Sequence, residues 1–170
     1  MKLKIRLNQL SFITALAVSV FCLESFIPKP LPFLKIGLAN VLLLSLIKLN
    51  FYKEVYLVSI CKSLIGASLL GLIFSPTFIL SIFGSLASIS IMLIFRKMNI
   101  NFSTVGISIA GSVTHLLTQL FIMNYFILKT DKIFYLTPYL ILLGLVTGTV
   151  TGYITLLFFP YIKKSLLQTA

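Results

Sequence analysis

The stretch CLESFIPKPLPFLKIGLAN, Cys22–Asn40, ends a long apolar run with an acidic residue, Glu24, and then breaks into a proline-rich loop that leads to Gly-Leu-Ala-Asn. Glu24 is one of only three acidic residues in a chain of 170. The reading of this stretch depends on what the flanking runs are. Hydrophobic residues make up 59% of the chain and charged residues 10%, with a mean hydropathy of +1.11. Soluble domains carry about 25% charged residues. The flanking runs are therefore membrane helices, and the stretch is a loop joining the first to the second.

Working outward, a spanning helix needs about 20 apolar residues. Six segments qualify: Leu10–Ile27, Phe33–Leu49, Val55–Phe74, Phe78–Phe95, Phe102–Leu128 and Phe134–Ile162. The second is short, bracketed by Lys35 and Lys48, and the last carries Pro138 near its start. The expectation is an all-α integral membrane protein, one six-helix domain over residues 1–170. MKLKIRLNQL with the run after it could pass for a secretory signal. Apolar segments continue to the C-terminus, however, so it reads as the first membrane helix.

The formal charge of +11 does not imply nucleic acid, because the basic residues fall in the gaps between apolar runs. There they act as topology signals and as contacts for anionic lipid. With the N-terminus inside, the inner side holds Lys2, Lys4, Arg6, Lys48, Lys53, Arg96, Lys97, Lys163 and Lys164. The outer side holds Lys29, Lys35, Lys129 and Lys132. This asymmetry places both termini in the cytoplasm and the protein in the cell membrane. Tyr125, Tyr135 and Tyr139 fall near the outer interface. Cys22 and Cys61 sit inside apolar runs without a CxxC or a neighbouring His, and read as packing residues rather than a disulfide or metal site.

Small residues mark where helices approach closely in lipid. Gly144, Gly148 and Gly152 form one stripe, Gly106, Ala110 and Thr114 a second, and Ser11, Ala15 and Ser19 a third. All three could be seams within the bundle. The sharper alternative is that the helix-one stripe docks another membrane protein.

Ionisable and amide side chains inside the membrane are costly and are functional candidates for that reason. At about 1.5 Å per residue, Glu24, Asn40, His115 and Gln119 fall at similar depth toward the outside. His115 and Gln119 are four apart, on one face of helix five. Lys62 lies deeper in helix three. Together they outline an outward-opening cavity roofed by IPKPLPFLK. Each also has a structural reading. Glu24 could pair with Lys35, Asn40 could cross-link helices, and His115 could be a hydrogen-bonded core residue. Lys62 could neutralise Glu24, attract an anionic ligand or snorkel to the interface.

Catalytic patterns are missing from the sequence. There is no GxxxxGK[ST] for ATP, and the sole Asp, Asp131, falls in a loop, so no Ser/His/Asp set assembles. No paired carboxylates could hold Mg²⁺ against a diphosphate. The chain reads as a non-enzyme with no cofactor and no metal.

LESFIPKPLPFLKIGLANV, FSPTFILSIFGSLASISIM and GISIAGSVTHLLTQL, taken in order, resemble the membrane family called heptaprenyl diphosphate synthase component I, or the Gx transporter family. That family is in turn similar to the substrate-binding S-components of energy-coupling-factor (ECF) transporters. The resemblance implies a six-helix S-component-like bundle and an outward-facing ligand site under the first loop. It also implies a helix-one stripe docking a membrane coupling subunit that works with two ATPases. On that basis Glu24, Asn40, Lys62, His115 and Gln119 are the candidate ligand-binding residues, and Ser11, Ala15 and Ser19 the docking residues. S-components usually show Ala-x-x-x-Ala at the docking stripe, whereas this chain has Ser-x-x-x-Ala-x-x-x-Ser. The expected function is import of a small molecule, such as a vitamin, flavin or isoprenoid or quinone precursor. One alternative is a non-catalytic membrane subunit of heptaprenyl diphosphate synthase in isoprenoid and menaquinone biosynthesis. Another is a carrier that works without ATP.

Overall fold

Six α-helices form the protein in a computed structural model that describes residues 6–27, 37–98 and 102–167. They are α1 (Leu7–Phe26), α2 (Asn40–Lys48), α3 (Tyr52–Leu69), α4 (Pro76–Lys97), α5 (Thr104–Met123) and α6 (Thr137–Leu167). A π turn, Asn124–Leu128, and a 3₁₀ turn, Asp131–Leu136, join the last two. Apart from Ile27, the expected roof loop lies outside the described residues, as do Lys2, Lys4, Lys29 and Lys35.

Local chemistry sets the helix ends. Ser75 and Pro76 start α4, with proline at a position where its missing N–H costs nothing. The Ser103 hydroxyl accepts from the N–H of Gly106 at 3.0 Å and caps α5. Asn50 takes a left-handed conformation, φ +65°, just past α2, and Gly71 does the same, φ +66°, just past α3.

The six helices differ in how well each suits a membrane span of its own. Four helical stretches are long and apolar enough to cross a membrane by themselves: Leu7–Phe26, Pro76–Lys97, Thr104–Leu128 and Lys132–Ser165. α3 has 18 residues but carries Lys53, Glu54 and Lys62. α2 has nine residues, about 14 Å at 1.5 Å per residue, against a hydrocarbon core of about 30 Å. It begins seven residues after the expected start at Phe33, because Gly37 sits at φ +88°, outside the helical region.

α2 is nonetheless the centre of the molecule. Every residue from Asn40 to Ile47 is buried, as befits a helix that is apolar all round. Its leucines pack with Ile13 and Ala17 of α1, Val55 and Val58 of α3, Ile89 and Met92 of α4 and Ile107 of α5. Lys48 at its end lies 4.2 Å over the Phe159 ring of α6, and Lys97 lies 5.4 Å over Tyr52. The ends of α2, α4 and α6 thus meet the start of α3, which gathers Lys48, Lys53 and Lys97 at one end of the bundle. Lys129 and Lys132 lie between α5 and α6 at the opposite end.

The glycine stripe of α6 is an internal seam. A Cβ at Gly144, Gly148 or Gly152 would meet the Cα of Val113, Ile109 or Val105 at 2.9, 2.5 and 2.9 Å. Descending by four on one helix as they climb by four on the other, these pairs fix α5 and α6 antiparallel. The facing row on α5 is therefore Val105, Ile109 and Val113, one residue before the expected Gly106, Ala110 and Thr114, which are half-buried. Across the same seam the Ser108 and Thr151 hydroxyls lie 2.8 Å apart.

Candidate functional site

Glu24 lies near the end of α1 and is buried, and among the described residues no lysine contacts it directly. Its Oε1 accepts from the Gly37 N–H at 2.7 Å and its Oε2 from the Leu38 N–H at 3.0 Å. The first N–H groups of a helix have no partner within the helix. Those of Asn40, Val41 and Leu42 donate to the Gly37, Leu38 and Ala39 carbonyls of the entry turn. The α1 carboxylate holds that turn through its Gly37 and Leu38 N–H groups, with its negative charge toward the positive end of the α2 dipole. Gly37 is required here: φ +88° is costly for a residue with a Cβ, and that Cβ would fall 2.9 Å from Asn40 Nδ2.

Asn40 opens α2 and points across to α3, where Lys62 Nζ donates to its Oδ1 at 3.1 Å. Lys62 is 2% exposed and does not snorkel. Among the described residues, Glu24 is the one acid whose field reaches it. The two make no direct ion pair. Ser59 and Ser63 flank Lys62 on the buried stripe of α3.

His115 and Gln119 occupy the buried face of α5, their Nε2 atoms 3.0 Å apart. An amide nitrogen only donates, so with the amide placed this way His115 Nε2 accepts and its proton sits on Nδ1. A Cβ added at Gly37 would come within 3.7 Å of His115 Cδ2. The imidazole therefore reaches the α2 entry that Glu24 holds. On its other side, a Cβ at Gly84 of α4 would sit 3.0 Å from His115 Nδ1 and 3.1 Å from Gln119 Cγ.

The expected residues thus converge: Glu24 and Asn40 around the α2 entry, where Gly37 was not anticipated, Lys62 from α3, and His115 with Gln119 from α5. Gly84, Ser59 and Ser63 were missed. For Gly84 the signal was a small-residue row in α4, Ser81, Gly84, Ser85 and Ser88, buried throughout; for Ser59 and Ser63 it was their spacing of four beside Lys62 on α3. No group of three or more His, Cys, Asp or Glu side chains able to hold a metal occurs among the described residues.

The helix-one stripe faces outward. Ser11, Ala15 and Ser19 are exposed and border a groove of about 580 Å³ with Leu57, Cys61 and Ile65 of α3. The serine hydroxyls donate to their own helix, Ser11 to the Leu7 carbonyl and Ser19 to the Ala15 carbonyl, each at 3.0 Å. Folded back this way, serine presents almost as small and apolar a surface as alanine. Cys22 and Cys61 are free, half-buried thiols.

A family model described as heptaprenyl diphosphate synthase component I matches residues 13–158, from the first core residue of α1 into the last turns of α6. The chain belongs to that family. No curated protein and no solved structure matches it. In this member of the component I family, both the polar cluster and the α1 groove fall within the matched residues, except for the groove positions Leu7, Leu10 and Ser11.

Proposed function

We propose that this protein is the substrate-binding membrane subunit of an energy-coupling-factor type transporter, non-catalytic by itself, which receives a small molecule and passes it across the membrane. The observation that carries the proposal is the convergence of polar side chains from α1, α2, α3 and α5 at the buried entry of α2. Such groups are expensive inside a membrane bundle and mark ligand pathways. The exposed Ser11, Ala15 and Ser19 groove supports a docking role for α1, since small residues let a partner helix approach closely. On this reading all six helices cross the membrane, α2 shielded from lipid by the others and α3 turning Leu57, Leu64 and Leu69 outward while Lys62 stays inside. Both termini face the cytoplasm, with Lys48, Lys53, Arg96 and Lys97 on the inner side. The partners are a membrane coupling subunit and two ATPases.

The family name favours a second reading, in which the chain is a non-catalytic accessory subunit of a prenyl diphosphate synthase. Affinity purification from native membranes, with co-purifying proteins and small molecules identified by mass spectrometry, separates the two. ATPases with a coupling subunit support the transporter. A soluble, Asp-rich synthase with no ATPase would overturn it.

A further inference from the structure

The side chains gathered at the α2 entry are unequal in what they offer. Lys62 Nζ carries three N–H donors, and its one hydrogen bond among the described residues goes to Asn40 Oδ1. Glu24, the acid whose field reaches Lys62, has both carboxylate oxygens engaged by the N–H groups of Gly37 and Leu38. The ammonium is thus buried beside an amide carbonyl rather than a contact anion. A buried charge is normally paired and fully hydrogen-bonded, because desolvation is otherwise uncompensated.

Its neighbours add further donors, of which only the serine hydroxyls can also accept. Among the described residues Asn40 Nδ2, an NH₂ group with two protons to give, has no partner. The Ser59 and Ser63 hydroxyls, on the same buried stripe of α3 as Lys62, have none either. All four side chains are more than nine-tenths buried. A cation, an amide NH₂ and two hydroxyls form a donor set, and what matches it is a group with several acceptor oxygens and a negative charge. A cationic or purely apolar group would leave these donors unsatisfied and the ammonium unpaired.

We propose that Lys62, Asn40, Ser59 and Ser63 bind the oxyanion head of the transported molecule, a carboxylate or a phosphate, with Lys62 as its contact counter-ion. This assignment rests on the transporter reading and names the class of substrate that reading leaves open. Glu24 acts as a positioning residue, holding Asn40 in place by fixing the turn that enters α2. Lys62 selects for charge and Asn40 for acceptor geometry.

The test uses the full-length protein in lipid nanodiscs, with its thermal midpoint followed at constant ionic strength while chloride is replaced by acetate or inorganic phosphate. Acetamide, the neutral isostere of acetic acid, is the control. Acetate or phosphate is expected to raise the midpoint in proportion to the logarithm of its concentration, as ligand linkage requires, while acetamide leaves it in place. Whichever oxyanion gives the larger shift identifies the head group. Lys62→Met should lose the shift, and Lys53→Met, at the exposed end of α3, should keep it. Equal shifts with acetate and acetamide, no shift with either oxyanion, or a full shift in Lys62→Met would each overturn the proposal. The wild-type comparison stands even if Lys62→Met does not fold. Failure here with ATPases still co-purifying would remove the oxyanion head and leave the transporter. An oxyanion shift without ATPases would do the reverse.

Discussion

Replacing Glu24 with Gln keeps the shape of the side chain and removes its charge and one acceptor. In the native protein the two carboxylate oxygens hold the N–H groups of Gly37 and Leu38 at 2.7 and 3.0 Å, at a site only 2% exposed. Glutamine can serve one of those donors with its carbonyl but sets an NH₂ against the other, leaving a buried N–H unpaired. Hydrogen bonds to a charged group contribute about 1.5–3 kcal/mol each, so a loss of about 2–3 kcal/mol is expected. On the scaling for chains of this size, that lowers the thermal midpoint by roughly 4–12 °C. Melting in nanodiscs measures the loss, and hydrogen exchange at Gly37 and Leu38 localises it, since both amides should lose protection. Gly37→Ala should give the same pattern, because the left-handed conformation costs a residue with a Cβ roughly 1–2 kcal/mol. If Glu24→Gln melts with the wild type and both amides stay protected, the carboxylate does not hold the turn entering α2, and the positioning argument fails.

Gly148→Ala should destabilise by about 1–3 kcal/mol, since its Cβ would meet the Ile109 backbone at 2.5 Å. Gly106→Ala, which meets only Ser103 Oγ at 3.3 Å, should be neutral or slightly stabilising; equal melting of the two variants would contradict the α5–α6 seam. His115→Ala and Gln119→Ala should each lower the midpoint, and the double variant should fall short of their sum by about 0.5–3 kcal/mol. Strict additivity in that cycle would mean the 3.0 Å contact contributes nothing. Ala15→Leu should leave the melting curve and any retained small molecule unchanged but abolish co-purification of the ATPase module; an intact complex would move the docking face off α1.

Much of this architecture is legible in the sequence because long apolar runs leave few alternatives in a membrane. α1, α4, α5 and α6 fall close to the expected segments, and Gly144, Gly148 and Gly152 mark the seam they form. The span of α2 is not legible. Past Lys35 the sequence stays largely apolar to Ile47, and the backbone angle of Gly37 marks the break before the helix. The candidate residues were readable one by one, as polar groups where lipid disfavours them. Their connections were not. That Glu24 serves the backbone of the turn entering α2 depends on how two helix ends meet, which no spacing encodes. Lys62 and Asn40 are separated by 22 residues, and their bond depends on α2 and α3 lying side by side. The Ser11, Ala15 and Ser19 row was visible as a pattern, but only the packing of α1 on α3 distinguishes it, exposed, from the buried row on α6.

The shortness of α2 also bears on how the chain is made. A helix of nine residues is too short to be taken up as a span of its own. α3, which must follow it, carries a lysine that costs about 2.5–3.5 kcal/mol at the centre of an isolated inserting helix. Neither is a good passenger alone, and Lys62 reaches Asn40 only once both are in place. α2 and α3 should therefore enter the bilayer as one cooperative unit against α1, while α1, α4, α5 and α6 are apolar enough to enter singly. Since α6 packs against α2, that unit waits for the last helix to leave the ribosome before its centre is sealed. During this interval the nascent protein is most open to membrane proteases and most dependent on an insertase.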